Sequence, residues 1–390
     1  MLIHELTLRG ILSFGPDSPP LEMRPLNLLI GPNGSGKSNL IEAIGLLRST
    51  PTKLTAPMLG TGSSDVSEWI WKGAKNNHAI IEAIIDNPIG NQPLRHRIQF
   101  TEKTSRFELL DEAIENSKPY PEHPDPYFYY RFQNGHPVLS AKGSIRRELR
   151  REDVAPDESI LSQRKDPDQY PELAHLADVY SKIRIYREWT FGRQSVFRNP
   201  QSASRMNDRL EEDFSNLGLF LNRLKGKPKV KKRIIERLRD LYSGLDDFDA
   251  RINQGTVVVE LTEGDFTIPA SRLSDGTLRY LCLLAILCDP DPPPLICIEE
   301  PELGLHPDMI PKVAELLVEA SERTQLIVTT HSDMLVDAMT EQPESVVVME
   351  KHEGKTLASR LQDDAELKAY LEDYRLGELW LRGMIGGTRW

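Results

Sequence analysis

The stretch GPNGSGKS at residues 31–38 has the spacing G-x-x-x-x-G-K-[ST] of a phosphate-binding loop. Glycines at this spacing let successive backbone N–H groups turn inward around phosphate oxygens, at a helix N-terminus whose dipole favours an anion. Lys37 would contact the β- and γ-phosphates of a nucleotide, and the Ser38 hydroxyl would bind Mg²⁺. A glycine-rich turn without a ligand is the alternative. The predicted nucleotide contacts are Asn33, Gly34, Ser35, Gly36, Lys37, Ser38 and Asn39.

Two adjacent carboxylates, Glu299 and Glu300, end the apolar run in PLICIEEPE. Successive side chains of a strand point to opposite faces, so we expect the two glutamates to have different roles. Glu299 is placed to bind Mg²⁺, and Glu300 to polarise an attacking water as general base. A second apolar run, LIVTTHS, ends in His331, 32 residues after Glu299, where it could hydrogen-bond the γ-phosphate or the water. A solvent-exposed acidic pair and a structural histidine are the alternatives.

The hydrophobic pattern indicates the elements that position these residues. An apolar strand, PLNLLI, precedes the loop and an amphipathic helix, NLIEAIGLLRS, follows it, which predicts a strand-loop-helix unit. Strands and helices alternate again from PLICIEE to SVVVMEK, a pattern typical of a mostly parallel sheet flanked by helices. The sequence lacks the long heptad run of a coiled coil.

We therefore predict an α/β protein organised in four segments. Residues 1–110 would form an ATPase-like lobe that contains the loop and an antiparallel β subdomain, and residues 226–350 a second lobe with the acidic strand end and His331. Residues 111–225, rich in Pro, Asp and charge up to about residue 180, would form a helical and irregular insertion. Residues 351–390 would form a helical tail whose Leu376, Leu379 and Trp380 pack on the body or dock a partner.

The composition, 39% hydrophobic and 27% charged residues, is that of a soluble globular protein. The longest apolar runs, such as YLCLLAILC at 280–288, are too short to span a bilayer, and MLIHELTLRG lacks the layout of a signal peptide. We therefore expect a cytoplasmic protein without a membrane segment. The three cysteines form no CxxC pair, which argues against a zinc site.

A strongly basic segment, RLKGKPKVKKR at 223–233, stands out from a chain whose net charge is −11. Its seven Lys and Arg residues could contact the phosphate backbone of DNA or RNA without reading its sequence. A solvated basic surface that binds no nucleic acid is the alternative, because most charge runs are of that kind.

Four stretches together resemble the ABC-type ATPases of the soluble SMC, RecF and RecN branch. They are GPNGSGKSN at 31–39, LSDGT at 273–277, LICIEEPELGLHP at 295–307 and TTHS at 329–332. In particular, the chain looks like the compact bacterial ATPases of RecF-like or AAA_21 type, which are related to the ATPase part of overcoming-lysogenization-defect nucleases. The resemblance implies a P-loop NTPase fold of ABC type, with ATP and Mg²⁺ as cofactors.

The resemblance also implies a homodimer in which two copies enclose two ATP molecules. Ser274 and Gly276 would contact the γ-phosphate bound by the other copy. Catalysis would rest on Lys37, Glu300 and His331. The family further expects a glutamine beside Mg²⁺, so the implied metal ligands are Ser38, Glu299 and Gln163, with Gln99 as the competing choice for the glutamine.

The chain departs from the family pattern at two positions, and both bear on the rate of hydrolysis. Glu299 stands where an aspartate is usual, and Asp275 replaces the second glycine of the signature. We predict an ATP-hydrolysing dimer that acts in DNA repair or phage defence. The alternative is a slowly hydrolysing switch or scaffold that gates a separate nuclease or toxin subunit, since the chain ends too soon after His331 for a nuclease domain of its own. A transporter energy subunit is disfavoured by the long insertion.

Overall fold

The computed structural model describes residues 1–60, 66–73, 78–133, 136–141, 145–150, 154–190, 192–193, 195–362 and 365–387. The strands in these ranges are β1 (Ile3–Arg9), β2 (Leu21–Glu22), β3 (Leu26–Ile30), β4 (His78–Ile85), β5 (Leu94–Lys103), β6 (Arg106–Asn116), β7 (Phe128–Gln133), β8 (His136–Ala141), β9 (Ile145–Glu148), β10 (Arg184–Tyr186), β11 (Gln201–Ser202), β12 (Asp247–Asn253), β13 (Thr256–Glu263), β14 (Phe266–Pro269), β15 (Leu295–Glu299), β16 (Gln325–Thr329), β17 (Val346–His352) and β18 (Lys355–Arg360).

The α-helices in these ranges are α1 (Lys37–Ser49), α2 (Ala56–Gly60), α3 (Ile160–Gln163), α4 (Pro171–Ser181), α5 (Leu217–Lys225), α6 (Pro228–Leu241), α7 (Asp275–Leu287), α8 (Ile310–Ser321), α9 (Asp333–Asp337), α10 (Ala365–Leu371) and α11 (Leu376–Leu381). Of the helices in the described ranges, the longest is α6, with 14 residues. None of the helices in the described part of the chain is long and apolar enough to cross a membrane.

The chain divides into two compact units that differ from the four predicted segments. The first unit contains Met1–Ile183, Glu344–Gln362 and Gly383–Trp390, and the second contains Arg184–Pro343 and Asp363–Arg382. Both units are built from separate stretches of sequence, because strands and helices near the C-terminus pack on elements formed much earlier in the chain. Domain boundaries predicted as consecutive stretches of sequence could not show that each unit combines separate stretches.

The first unit contains a long antiparallel sheet with the strand order β2-β1-β4-β5-β6-β7-β8-β9. Burial alternates along β4, where Ala79, Ile81, Ala83 and Ile85 face the core, as in a sheet with one buried face. The prediction of a helical and irregular insertion at residues 111–225 was wrong in this respect. Strands β6 to β9 extend the antiparallel sheet through the region, although its Pro and Asp content suggested irregular structure.

The first unit also contains the strand-loop-helix unit predicted around residue 31. All five residues of β3 are buried, and β17 pairs with β3 in parallel, with Val346 opposite Leu28. Strand β18 pairs antiparallel with β17. An apolar run without alternation is typical of a parallel strand that is covered on both faces.

The second unit contains three parallel strands in the order β10-β15-β16. Their carboxyl ends lie at one edge, since Tyr186 is opposite Ile298 and Glu299 is opposite Thr329. In open α/β sheets this is the edge where ligands bind. A smaller antiparallel sheet in the same unit contains β11, β13, β12 and β14.

The predicted C-terminal tail is only partly helical. Residues 351–360 belong to the hairpin of β17 and β18, and the helices α10 and α11 follow it. Helix α11 packs on α9, since the Gly377 N–H donates to Asp337 Oδ1 at 2.7 Å. Leu376, Leu379 and Trp380 are buried, as the packing alternative predicted.

Candidate functional site

The loop at residues 31–38 joins β3 to α1 and depends on glycine at two tightly packed positions. Gly31 and Gly36 have φ angles of 143° and 105°, values that residues with a side chain rarely adopt. A Cβ atom on Gly31 would lie 2.1 Å from the Met349 carbonyl oxygen, and one on Gly36 would lie 2.3 Å from Thr356 Oγ1. The hairpin of β17 and β18 therefore forms a wall behind the loop.

Side chains from two distant stretches of sequence fasten this loop. Thr356 Oγ1 is buried and lies 2.8 Å from the Ser35 carbonyl oxygen and 2.7 Å from Ser13 Oγ. Asn39 Nδ2 also donates to Ser13 Oγ, at 2.7 Å. Asn39, predicted to contact nucleotide, thus holds the loop in this structure. Ser13 and Thr356 could not be predicted from the sequence, because no local motif marks them.

The atoms of the loop fit a phosphate group. The buried Lys37 ammonium donates to the carbonyl oxygens of Gly31, at 2.7 Å, and Pro32, at 3.2 Å, so it lies over the loop. Among the described residues, Ser35 Oγ is buried without a hydrogen-bond partner, and no atom lies within 4 Å of the Cβ position of Gly34. Asn33 and Ser38 are exposed, and the N-terminus of α1 has no side-chain cap. The N–H groups there can therefore donate hydrogen bonds to an anion.

The second unit holds the acidic strand end. Glu299 ends β15, and its Oε1 accepts hydrogen bonds from Arg187 Nη2 at 2.9 Å and Nε at 3.3 Å. The Trp189 indole N–H donates to the Glu299 carbonyl oxygen at 2.8 Å. Arg187 directly follows β10, the parallel neighbour of β15, so strand order brings its guanidinium to Glu299. Neither Arg187 nor Trp189 was predicted from the sequence.

Glu300 lies just beyond the end of β15 and has a φ angle of 47°, in the left-handed region. Its N–H donates to the Thr329 carbonyl oxygen at 3.0 Å, and its carbonyl oxygen accepts from Arg279 Nη2 at 2.7 Å. Such strained residues persist where their surroundings fix them, often at functional sites. We predicted that the two glutamates lie on opposite faces of one strand. Instead, β15 ends at Glu299, and the left-handed backbone of Glu300 sets the direction of its side chain.

The Glu300 and His331 side chains lie close together at the carboxyl edge of β15 and β16. His331 Nε2 is 3.9 Å from Glu300 Oε1, and the Glu300 side chain is 42% exposed. Glu302 accepts hydrogen bonds from the His331 N–H at 3.0 Å and from Thr330 Oγ1 at 2.7 Å. Glu302 was not among the site residues predicted from the sequence. The edge thus presents the solvent-accessible carboxylate of Glu300 beside the imidazole of His331, whose backbone N–H is held by Glu302.

Arg279 links helix α7 to the same edge. Its guanidinium stacks 4.4 Å above the Trp189 ring while it donates to the Glu300 carbonyl oxygen. Burial lowers the pKa of Arg279 to about 10, so the side chain remains charged at neutral pH.

The signature residues lie at the start of α7. Ser274 is the N-cap of this 13-residue helix and accepts a hydrogen bond from the Thr277 N–H at 3.0 Å. A Cβ atom added to Gly276 would lie 3.1 Å from the Gly304 carbonyl oxygen, a tight contact that a small shift would have to relieve. The Asp275 carboxylate accepts hydrogen bonds from Arg198 Nη2 and from the Gly192 N–H. The Arg198 guanidinium lowers the pKa of the Asp275 carboxyl, which keeps this pair ionised.

The structure does not support Gln163 as a metal ligand. Its Oε1 accepts from the Ala155 N–H at 3.1 Å, and its Nε2 donates to the carbonyl oxygens of Glu158 and Ser159 at 3.3 Å. The amide therefore closes its own loop around the start of α3. The competing choice, Gln99, lies within β5 and accepts from Arg97 Nη2 at 2.9 Å.

The basic segment 223–233 carries much less free charge than its sequence suggested. Six of its seven cationic side chains lie within ion-pair distance of an acid. The pairs are Arg223–Asp289, Lys225–Asp249, Lys227–Asp291, Lys231–Asp247, Lys232–Glu236 and Arg233–Glu319. Four of the acids come from residues 247–291, outside the window in which the charge was counted.

Comparison with known proteins gives a family and a fold. The family AAA_21, described as "AAA domain, putative AbiEii toxin, Type IV TA system", matches residues 26–337. A search of curated proteins finds no match.

Solved structures that resemble this chain include several SMC head domains. An Smc head bound to the C-terminal winged-helix domain of ScpA has a TM-score of 0.59 and 16% identity, over 93% of this chain and 99% of that one. A Pyrococcus furiosus Smc head with an extended coiled coil, bound to the C-terminal domain of ScpA, has a TM-score of 0.57 and 14% identity, over 95% and 99%. A Pyrococcus yayanosii head gives 0.53 and 12%, over 96% and 99%. The predicted fold, a P-loop NTPase of ABC type, is confirmed.

Proposed function

Because this chain belongs to the AAA_21 family and has the fold of SMC head domains, we propose that it is an ATPase that binds ATP at residues 31–38. The observation that carries the proposal is the loop itself. Its buried lysine, together with a Ser35 hydroxyl and a start of α1 that have no hydrogen-bond partner or side-chain cap in the described part of the chain, is arranged for phosphate oxygens.

In the proposed reaction, the Lys37 ammonium and the N–H groups at the start of α1 hold the phosphates. Mg²⁺, with Ser38 and Glu299 as its proposed protein ligands, would supply charge neutralisation at the phosphates. The Glu300 carboxylate accepts a proton from the attacking water, and the His331 imidazole, 3.9 Å from that carboxylate, hydrogen-bonds the water or the γ-phosphate.

We further propose that ATP joins two copies of the chain, with Ser274 and Gly276 of one copy facing the γ-phosphate bound by the other. Two features support this arrangement. Ser274 is exposed, and it caps a 13-residue helix whose N-terminus favours an anion.

The work that hydrolysis drives is proposed from the family. The family description names a toxin of a toxin–antitoxin system, which favours a role in defence, with the ATPase gating a separate effector. Action on DNA, in repair or maintenance, is the second candidate. The ion pairs of the segment 223–233 weaken it, because paired cations have less charge to offer phosphates.

Replacing Lys37 by methionine is expected to weaken ATP binding by roughly 10- to 100-fold, because the variant loses charge-assisted hydrogen bonds to the phosphates. Titration with a fluorescent ATP analogue would measure the change. The control is Lys53→Met, which removes an exposed lysine of the same unit and should bind as the wild type does. Equal affinity of Lys37→Met and wild type would contradict binding at the loop.

A second prediction concerns the ion pair between Arg187 and Glu299, the proposed Mg²⁺ ligand. Mg²⁺ at Glu299 would have to displace the Arg187 guanidinium, so Arg187→Gln should lower the Mg²⁺ concentration for half-maximal turnover by about three- to tenfold. The control is Arg193→Gln, at an exposed arginine six residues away. An unchanged Mg²⁺ requirement in Arg187→Gln would show that the ion pair does not limit metal binding. A wild type with negligible turnover would favour the switch.

A further inference from the structure

We propose that Arg198 is a positioning residue for ATP-driven dimerisation, because it holds the Asp275 carboxylate in place and cancels its charge at residues 270–276, here called the signature loop, where the phosphate of a second copy would dock. The inference rests on the proposed function. It answers a question raised by the sequence, namely how a carboxylate is tolerated where the family has glycine.

Arg198 ends a short 3-10 helix, Val196–Arg198, and reaches across to the signature loop. Its Nη1 donates to the Leu273 carbonyl oxygen at 2.6 Å and lies 3.4 Å from the Ala270 carbonyl oxygen. Its Nε donates to the Gly192 carbonyl oxygen at 3.0 Å. The same guanidinium thus connects residue 192, the start of the loop and the residue before the Ser274 cap. A planar fork of five N–H donors suits this task, and a lysine ammonium does not.

The remaining amino group, Nη2, binds the Asp275 carboxylate. The Arg198 side chain is 11% exposed and the Asp275 side chain 51% exposed, so the cation lies on the protein side of the pair and the carboxylate on the solvent side. The Gly192 N–H, 3.2 Å from Asp275 Oδ1, fixes the carboxylate further. Asp275 is therefore held in one place on the loop surface.

The position of Asp275 makes its charge important. It is the first residue of α7, next to Ser274 and Gly276, the residues proposed to face the γ-phosphate. An acid in the first turn interacts favourably with the helix dipole. Its negative charge also offsets the partial positive charge of the helix N-terminus, which would otherwise attract an incoming anion. An unpaired carboxylate there would repel a triphosphate, whereas the Arg198 pair carries no net charge. We therefore infer that docking of a second copy depends on Arg198 through Asp275.

The test compares ATP-induced dimerisation of the full-length wild type with that of Arg198→Gln, Asp275→Asn and the double variant. Analytical ultracentrifugation in Mg²⁺ and a non-hydrolysable ATP analogue gives the dimer Kd. We expect Arg198→Gln to raise this Kd at least tenfold. Asp275→Asn alone should leave it unchanged or lower it. The double variant should return to within about threefold of the wild type, because the repelling charge is gone.

Two controls make each outcome decisive. Arg193→Gln should dimerise as the wild type does, and nucleotide affinity of the monomeric Arg198→Gln protein should stay within twofold. If Arg198→Gln dimerises normally, or if Asp275→Asn fails to restore it, Arg198 is only a structural residue and the inference is wrong. If Arg198→Gln fails to fold, a weaker dimer in Asp275→Asn alone would overturn the inference equally. A wild type that does not dimerise with nucleotide would instead refute the proposed dimer.

Discussion

Replacing Glu300 by glutamine is expected to lower ATP turnover by about 10²- to 10⁴-fold, because an amide cannot accept the proton of the attacking water. Glutamine keeps the size of the side chain and the backbone contacts to Thr329 and Arg279 that fix residue 300. ATP binding should persist, and the dimer should accumulate with ATP because it no longer hydrolyses the nucleotide. Release of phosphate and sedimentation with ATP measure the two effects.

The matched control for this variant is Glu353→Gln. Glu353 is exposed and also has a left-handed φ angle, 50°, in the turn between β17 and β18, so the substitution tests the same chemical change in the same backbone conformation. Its turnover should equal that of the wild type. Normal turnover in Glu300→Gln would exclude Glu300 as the base. A larger loss in Glu299→Gln than in Glu300→Gln that persists at saturating Mg²⁺ would indicate that Glu299 is the base.

Replacing Glu112 by alanine is expected to lower the free energy of unfolding by about 3–5 kcal/mol, since it leaves several buried polar groups without a partner. Glu112, His96, Ser159 and Tyr180 are fully buried in the first unit. The Glu112 carboxylate accepts hydrogen bonds from the Ile160 N–H at 2.9 Å and from the Ser159 hydroxyl, and it lies 3.3 Å from His96 Nε2. His96 Nδ1 is 3.1 Å from the Tyr180 hydroxyl.

Chemical denaturation followed by circular dichroism measures this effect. The control is Glu108→Ala on the same strand, β6, because Glu108 makes a part-exposed ion pair with Lys103 at 3.5 Å, worth about 0–1 kcal/mol. Glu112→Gln retains an acceptor and should lose less stability than Glu112→Ala. A loss in Glu112→Ala no larger than that in Glu108→Ala would show that the buried cluster is not a stabilising unit.

The parts of the candidate site that could be predicted are those encoded in a few consecutive residues. The glycine spacing at 31–38 implies a loop conformation, and the structure shows Gly31 and Gly36 at left-handed φ angles. Glu299, Glu300 and His331 follow apolar runs, and parallel strands bring such ends to one edge. The capping role of Ser274 is likewise a local feature, because the cap and its helix are contiguous in sequence.

The residues that could not be predicted act across long stretches of sequence. Arg187 and Arg198 resemble any other surface arginine until the fold places them against Glu299 and Asp275, 112 and 77 residues away. The long antiparallel sheet was not predicted, because the Pro, Asp and charge content of residues 111–180 is typical of irregular structure. Gln163 was chosen from the family expectation alone, and its amide satisfies backbone groups of its own loop instead.

The pairing of β17 with β3 has a consequence for synthesis of the protein. Val346 lies opposite Leu28, and the wall behind the phosphate loop is made by Met349 and Thr356. During translation, β3 and α1 emerge from the ribosome first, but the strand that completes them is made more than 300 residues later. Contacts between such distant residues form slowly, because a long loop must close. The nascent chain therefore cannot complete the loop that we propose binds nucleotide until β17 and β18 have been translated.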